Sequence, residues 1–413
     1  MYHGEMVEYR KRLIDRVLAQ RLAGLPAVML VGPRATGKTT TAVRHARTVV
    51  RMDRPAEAAV FQADPDAALG RDLPEPVLLD EWQVVPEVLG AVKRAVDRDS
   101  RPGRFILAGS LHTTLGTPGG WPGVGRVVSL EIWPLTVSEQ KATATKPLIE
   151  RIVDGDDLRP ADPQLDIRDY VALAVLGGFP EVALVVPESE RRAWLDGYVD
   201  GLIVRDVSGS RNPALYRNFF NVYAANSAGV ITDQKIRESA RINHRTVQAY
   251  GRHLLNLMVA DELPAWHTNR LKRLARSPKR YLTDSGLLAA ALGADSEGVL
   301  RHGDLLGRVL ETFVVAQIRG ESVAVTGKPA LHHLRSGNGR HEIDLIVEID
   351  AWQVLGIEIK ATSAPDRGDA RHLIWLRDQM GERFVGGVVL HTGPWPYLID
   401  DRIIAAPIST LWA

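Results

Sequence analysis

The octapeptide Gly32-Pro33-Arg34-Ala35-Thr36-Gly37-Lys38-Thr39 has the glycine, lysine and threonine spacing of a phosphate-binding loop. It follows the apolar run AVMLV and precedes TTAVRHARTVV, a segment of helical character that opens at Thr40. Glycines in such a loop let successive backbone N–H groups curl around phosphate oxygens at a helix N-terminus. Lys38 reaches the terminal phosphates, and the Thr39 hydroxyl can bind Mg²⁺. Farther on, PVLLDEWQ sets Asp80 and Glu81 at the C-terminal end of an apolar strand, where ligands of open α/β sheets bind. Asp80 would hold Mg²⁺ through water, and Glu81 would polarise the water attacking a γ-phosphate, so the pair implies hydrolysis as well as binding. Ser110, ending the next strand RFILAGS, is a small polar group that could contact the same phosphate or water.

A second set of charges lies in RHEIDLIVEIDAWQVLGIEIK, residues 340–360. If the hairpin turns at Asp350-Ala351-Trp352 and pairs Ile349 with Gln353, Asp344 falls across from Glu358 and Glu342 across from Lys360. Two carboxylates and a lysine so arranged resemble the D…ExK site of restriction-endonuclease-like folds. There the carboxylates hold Mg²⁺ and the lysine positions or activates water. Glu311, in the helical RVLETFVV, matches the acidic helix residue that often completes such a site, giving Glu311, Asp344, Glu358 and Lys360 as a possible second metal or nuclease centre. The same charges also read as cross-strand ion pairs on a half-exposed sheet.

The elements that must position these groups fall into three parts. Residues 1–145 alternate short apolar runs (AVMLV, PVLLD, RFILAG, VVSLEI) with helical segments, the pattern of an α/β domain with a parallel sheet. Residues 146–164 are polar and proline-containing and read as a linker. Residues 165–297 are mostly helical in period. Within them TDQKIRESARINHRTVQAYGRHLLNLM reads as helix, turn, helix. A stretch with Arg270, Lys272, Arg273, Arg276, Lys279 and Arg280 and no acid follows, then the strand-like YLTD. Together these predict a winged-helix-like part whose second helix and wing could contact DNA phosphates and grooves. Arg205 and Asp206, at the end of an amphipathic helix, read as an ion pair or as a reach toward nucleotide, and GGFPEV as a tight turn with Glu181 as a structural contact. Residues 298–413 run helix, strands, helix, strand and predict a small α/β domain.

With 45% hydrophobic and 24% charged residues among 413, the chain has the composition of a globular protein. A formal net charge of +1 offers no global attraction for nucleic acid or anionic membrane, so such a partner needs a local patch. The absence of cysteine excludes disulfides and thiolate chemistry and fits a reducing compartment. No run of about 18 apolar residues occurs, and the N-terminal segment is charged, so the expectation is a cytoplasmic protein without a membrane partner.

The set GPRATGKT, LLDEWQVVP, ILAGS and GRVVSLEIWPLTVSE resembles the AAA-type ATPases of bacteria and archaea whose ATPase is fused to a C-terminal domain of unknown function. The segments GGFPEV, LIVRDV and HEIDLIV…GIEIK extend the likeness over nearly the whole chain. The resemblance implies that Ser110 is a sensor at a strand end. It also implies that Arg126, just before the fifth strand, stands where such ATPases carry an arginine finger for a neighbouring subunit of a homo-oligomer. The expected fold class is α/β: an AAA+-type P-loop NTPase domain, an α-rich winged-helix-like middle and a restriction-endonuclease-like C-terminal domain. The expected activity is ATP hydrolysis, with ATP and Mg as cofactors, coupled to DNA or protein binding. An ATP-regulated metal-dependent nuclease and a nucleotide-gated binding module without nuclease activity stand as alternatives.

Overall fold

The computed structural model describes residues 9–109, 125–143, 145–162, 164–206, 212–269, 271, 273, 276–336 and 339–413, with the side chains of 203–206 left aside. The chain divides into two compact units. One is Lys11–Trp133 together with the short segment Leu254–Met258; the other holds the remainder.

In the first unit β1 (Ala27–Val31), β2 (Thr48–Arg51), β3 (Val77–Asp80), β4 (Phe105–Gly109) and β5 (Val127–Glu131) form one sheet in the order β2-β3-β4-β1-β5, every neighbouring pair parallel. The central strands β1, β3 and β4 are buried along their whole length, which is why they read as unbroken apolar runs and not as alternating patterns. Helix Leu13–Gly24 lays Ile14, Leu18 and Leu22 against the core at a four-residue spacing. Helix Val88–Arg98 buries Val88, Leu89, Val92, Ala95 and Val96 along one face. One segment departs from its sequence reading. The helix after the phosphate loop stops at Val43, and the following TVV becomes the edge strand β2, because its β-branched residues pair with β3 from Thr48↔Val77 to Arg51↔Asp80. Register then does the positioning: Val31 lies beside Gly109 and Asp80 beside Ala108, so β1, β3 and β4 end at one edge.

In the second unit the stretch 146–164 is more than a connector. It carries helix Leu148–Asp154, with Leu148 and Ile149 buried and the Leu148 N–H donating to Glu321, 3.0 Å away. Helices Asp233–Ala240 and His244–Asn256 are joined by a short turn that passes through Arg241 in the left-handed region, and the first is capped by the Thr232 hydroxyl. The antiparallel pair β6 (Ala260–Leu263) and β7 (Lys279–Leu282) follows, with Leu263 opposite Lys279 and Asp261 opposite Tyr281. The GGFP turn is held by the Asp284 carboxylate, which accepts the Gly178 N–H at 2.7 Å while also capping helix Ser285–Ala291. Gly177 has a φ of 71° and lies against Asp284, so a side chain fits neither the backbone nor the space there.

The C-terminal residues build a six-stranded sheet from β8 (Ala330–Ser336), β9 (His341–Glu348), β10 (Val354–Ile359), β11 (Phe384–His391), β12 (Tyr397–Asp400) and β13 (Ile403–Pro407), ordered β12-β13-β11-β10-β9-β8. Strands β8, β9 and β10 run antiparallel, whereas β10, β11 and β13 are parallel. Helix Arg371–Met380 packs Leu373 and Leu376 into a core with Ile343, Ile346, Val354 and Phe384. Helix Gly303–Ser322 buries Val309, Leu310, Phe313, Val314 and Ile318, and it carries Glu311. Among the described residues, no helix is long and apolar enough to cross a membrane.

Candidate functional site

The phosphate loop leaves β1 at a point where only glycine fits, since a Cβ on Gly32 would lie 2.1 Å from the Ile132 carbonyl oxygen. Ala35 and Gly37 take φ values of 60° and 85°, and the chain enters helix Lys38–Val43 directly after Gly37. Buried Thr36 closes the loop by donating its hydroxyl to the Pro33 carbonyl at 2.8 Å. Lys38 is folded back on the same loop, its Nζ 3.0 Å from the Gly32 oxygen and 2.7 Å from the Pro33 oxygen. Burial pushes its ammonium down to about 8, against the opposing pull of Glu81 and Asp80. Arg34 and Thr40 flank these groups at the surface side of the loop.

Asp80, at the end of β3, is 5% exposed, and its Oδ1 accepts the Thr39 hydroxyl at 2.9 Å. Burial raises the carboxyl above its usual range, and the Thr39 hydrogen bond works in the opposite direction. A hydroxyl and a carboxylate oxygen side by side are the hard donors that Mg²⁺ takes beside a nucleotide, so these residues fit the ion. Glu81 sits in the left-handed region with φ 52° and ψ 39°, a conformation uncommon for a residue with a side chain and a mark of functional sites. Its carboxylate accepts a hydrogen bond from the Gln83 side-chain amide. Gly109, ending β4, makes room for this turn: a Cβ there would stand 2.5 Å from both Gln83 Oε1 and Trp82 Nε1.

Gln83 and Arg12 are site residues that sequence reasoning missed. Buried Arg12 donates from Nη1 to the Thr36 carbonyl at 2.9 Å and from Nη2 to the Trp133 carbonyl at 2.6 Å, tying the loop to the chain beyond β5. Nothing local in the sequence marks Arg12, whose partners are brought near only by the fold, whereas Gln83 lies two residues from Glu81 and is linked to it by the shape of the turn. Arg126 is exposed and bonds Asp97 of helix Val88–Arg98 at 2.7 Å. Ser110, Arg270 and Lys272 lie outside the described residues, and so do the side chains of Arg205 and Asp206.

Among the described residues, the basic stretch of the middle region does not form one surface patch. Arg273 pairs with Glu348 at 2.7 Å, and Arg276 donates to the Arg335 carbonyl at 2.6 Å. Strand alternation divides the rest. Arg280 points to Asp233 and Glu262, whereas Lys279 and Tyr281 point the other way, with Lys279 only 3% exposed. Of the six cations expected to face DNA, Arg273, Lys279 and Arg280 thus have their charges matched by carboxylates.

The C-terminal charges meet Lys279. The expected register holds, with Val354↔Glu348 through Ile357↔Leu345 and the Ile349 N–H donating to the Gln353 oxygen at 3.0 Å. Lys279 Nζ lies 2.5 Å from Glu311 and 2.9 Å from Asp344. Tyr281 donates its hydroxyl to the same Glu311 oxygen at 2.6 Å, and the Ile359 N–H donates to the second Asp344 oxygen at 3.0 Å. Glu358 is 2% exposed and pairs with Lys360 at 3.1 Å, while its other oxygen is buried without a hydrogen-bond partner. Glu342, placed opposite Lys360 by register, pairs instead with Arg335 across to β8. Burial drives Glu311 up to about 7 and Glu358 well above the usual range, while Lys279 and Lys360 hold Asp344 low despite its burial. The residues therefore do not fit a divalent metal as they stand, because an ammonium fills the point where the Glu311 and Asp344 oxygens converge.

Residues 25–141 match the model of an AAA domain. This part of the chain is a P-loop domain of AAA type, with the parallel sheet and loop described above. Residues 167–298 and 306–411 match two domains of unknown function, DUF8612 and DUF4143. Uncharacterized proteins of Mycobacterium tuberculosis and Mycobacterium bovis are each 28% identical over 400 residues, spanning 95% of this chain and 82% of theirs. Among solved structures, a Walker-type ATPase of Pyrococcus abyssi aligns with 67% of this chain and 94% of its own, at 16% identity and a TM-score of 0.42. A protein from Vibrio cholerae aligns over 94% of this chain and 95% of its own, at 10% identity and a TM-score of 0.21.

Proposed function

We propose that the AAA domain binds and hydrolyses ATP with Mg²⁺, and that its nucleotide state is coupled to DNA binding by the helix pair of the middle region. The observation that carries the first part is the alignment of three groups at one sheet edge: the Gly32–Thr39 loop, the bonded pair Thr39–Asp80, and Glu81 held in a left-handed turn by Gln83. Backbone N–H groups of the loop and the start of helix Lys38–Val43 would cradle the phosphates. Lys38 would exchange the Gly32 and Pro33 carbonyls for phosphate oxygens. Thr39 and Asp80 would hold Mg²⁺, which neutralises charge on the β- and γ-phosphates when bound. Glu81 would orient and polarise the attacking water, and Gln83 would set the direction of that carboxylate. Arg126, exposed beside β5 and bonded to Asp97, would serve a neighbouring copy by leaving that partner.

Support for the DNA part comes from the second helix of the pair. Arg241 in the turn and His244, Arg245, Gln248 and Arg252 in the helix are all exposed, and residues 245, 248 and 252 recur at helical spacing along one face. This favours the helix over the strand pair as the contact, since Arg273, Lys279 and Arg280 are paired with carboxylates. A nuclease reading of the C-terminal residues gains no support from a carboxylate set already occupied by Lys279.

The test is ATP turnover by the purified chain with Mg²⁺. Lys38→Ala should abolish nucleotide binding or turnover. Glu81→Gln should lower turnover by roughly 10²–10⁴-fold, the usual worth of such a group, while leaving ATP affinity within a few-fold. Hydrolysis unchanged in both variants would refute the assignment.

A further inference from the structure

We infer that Lys279 is the built-in cation of the C-terminal carboxylate cluster and stands where a divalent metal would otherwise bind, so that the cluster is closed to metal while Lys279 is seated. This goes beyond the ATPase reading and does not depend on it. Glu311 comes from helix Gly303–Ser322, Asp344 from β9 and Glu358 from β10, whereas Lys279 enters from β7, within the separately matched span 167–298. Three carboxylates thus face two ammonium groups, Lys279 and Lys360.

The geometry leaves a metal no place between Glu311 and Asp344. Lys279 Nζ is at hydrogen-bond distance from one oxygen of Glu311 and one of Asp344, and the remaining Asp344 oxygen is taken by the Ile359 N–H. The Glu311 oxygen that faces Lys279 also accepts from Tyr281. A small divalent cation bound by the same two oxygens at about 2.0–2.1 Å would require the ammonium to leave. Lys279 has little room to do so, being 3% exposed and followed two residues later by Tyr281, bonded to the same carboxylate. Among the described residues no group of three or more His, Asp or Glu is arranged to hold a metal ion. The lysine supplies what buried carboxylates need, a compensating charge with hydrogen bonds, and it does so without a dissociable ligand.

Removing that charge should leave three carboxylates beside Lys360 alone, a cavity that attracts a divalent cation. The experiment is Mn²⁺ titration of the full chain without nucleotide, read by the electron paramagnetic resonance of free Mn²⁺. An Asp80→Asn background silences the phosphate-loop side. With Lys279 present, no Mn²⁺ binding that depends on Asp344 is expected. Lys279→Ala should gain binding, roughly tenfold tighter or more, and adding Asp344→Asn should abolish the gain. Mn²⁺ retained by the Lys279 protein and lost on Asp344→Asn overturns the proposal. So does a folded Lys279→Ala variant, judged by circular dichroism, that gains no binding. If Lys279→Ala does not fold, Lys279→Gln, which removes the charge and keeps a polar side chain, is read against the same Asp344→Asn control, and a folded Lys279→Gln variant that gains no binding also overturns the proposal.

Discussion

At the scale of single residues, Lys38 connects packing to nucleotide affinity. Its ammonium is buried against two loop carbonyls and lowered to about 8, so in the free protein it begins to lose its proton just above neutral pH. A triphosphate favours the charged form, and binding above this point must therefore take up a proton. ATP affinity is expected to be flat below about pH 8 and to weaken by up to tenfold per pH unit above it. Lys38→Arg keeps its charge throughout and should lose that slope. Binding isotherms at several pH values check this, and a flat wild-type profile well above pH 8 would contradict it. Glu81 shows a second residue-scale effect: its left-handed backbone is tolerated because Gln83 and the space above Gly109 support the turn.

At the scale of elements, the middle region shows how strand period and helix period share out one set of basic residues. In β7 the alternation turns Lys279 and Tyr281 toward the carboxylates and Arg280 toward Asp233 and Glu262, leaving little free charge on that strand. In helix His244–Asn256 the longer period keeps Arg245, Gln248 and Arg252 exposed along one side. The pair Arg245→Ala and Arg252→Ala should weaken duplex DNA binding and reduce the slope of log affinity against log salt by about 2, whereas Arg280→Ala should leave that slope unchanged. Filter binding over a salt series decides it. Equal slopes for all three proteins would remove the helix from the interface.

At the scale of the whole molecule, several carboxyls are buried with few compensating charges, and this sets how stability depends on pH. Glu321 is 2% exposed, accepts the Leu148 N–H and is raised by burial to about 8; Asp284 is raised to about 6. Each holds a proton in the folded state that the unfolded chain has already released. The stability they contribute is thus complete below the ordinary carboxyl range and is lost as pH rises through these values. The melting temperature should fall between about pH 5 and pH 8. Glu321→Gln, which preserves the acceptor for Leu148 without a titrating proton, should make that fall shallower. Thermal melts across the window test it, and an identical slope in the variant would exclude Glu321 as a source.

The phosphate loop, the Asp80-Glu81 pair and the 344–358 strand register were legible in the sequence because each depends on neighbours a few residues away: a contiguous loop, a strand end, a hairpin whose turn sets its pairing. The same locality explains what was misread. The TVV of β2 followed a helical segment and revealed itself only through its parallel pairing with β3, and the strands β8, β12 and β13 complete a sheet whose order no local pattern encodes. Arg12 gained its role from partners supplied by the fold, as did Lys279, which reads in sequence as one more cation of an exposed run. The sequence by itself determined the phosphate-type loop, since loop geometry follows from glycine conformation and from the strand and helix beside it. Only tertiary structure decided the fate of the C-terminal charges, because burial makes an unpaired carboxylate costly and the compensating ammonium comes from a strand about thirty residues before the first of them along the chain.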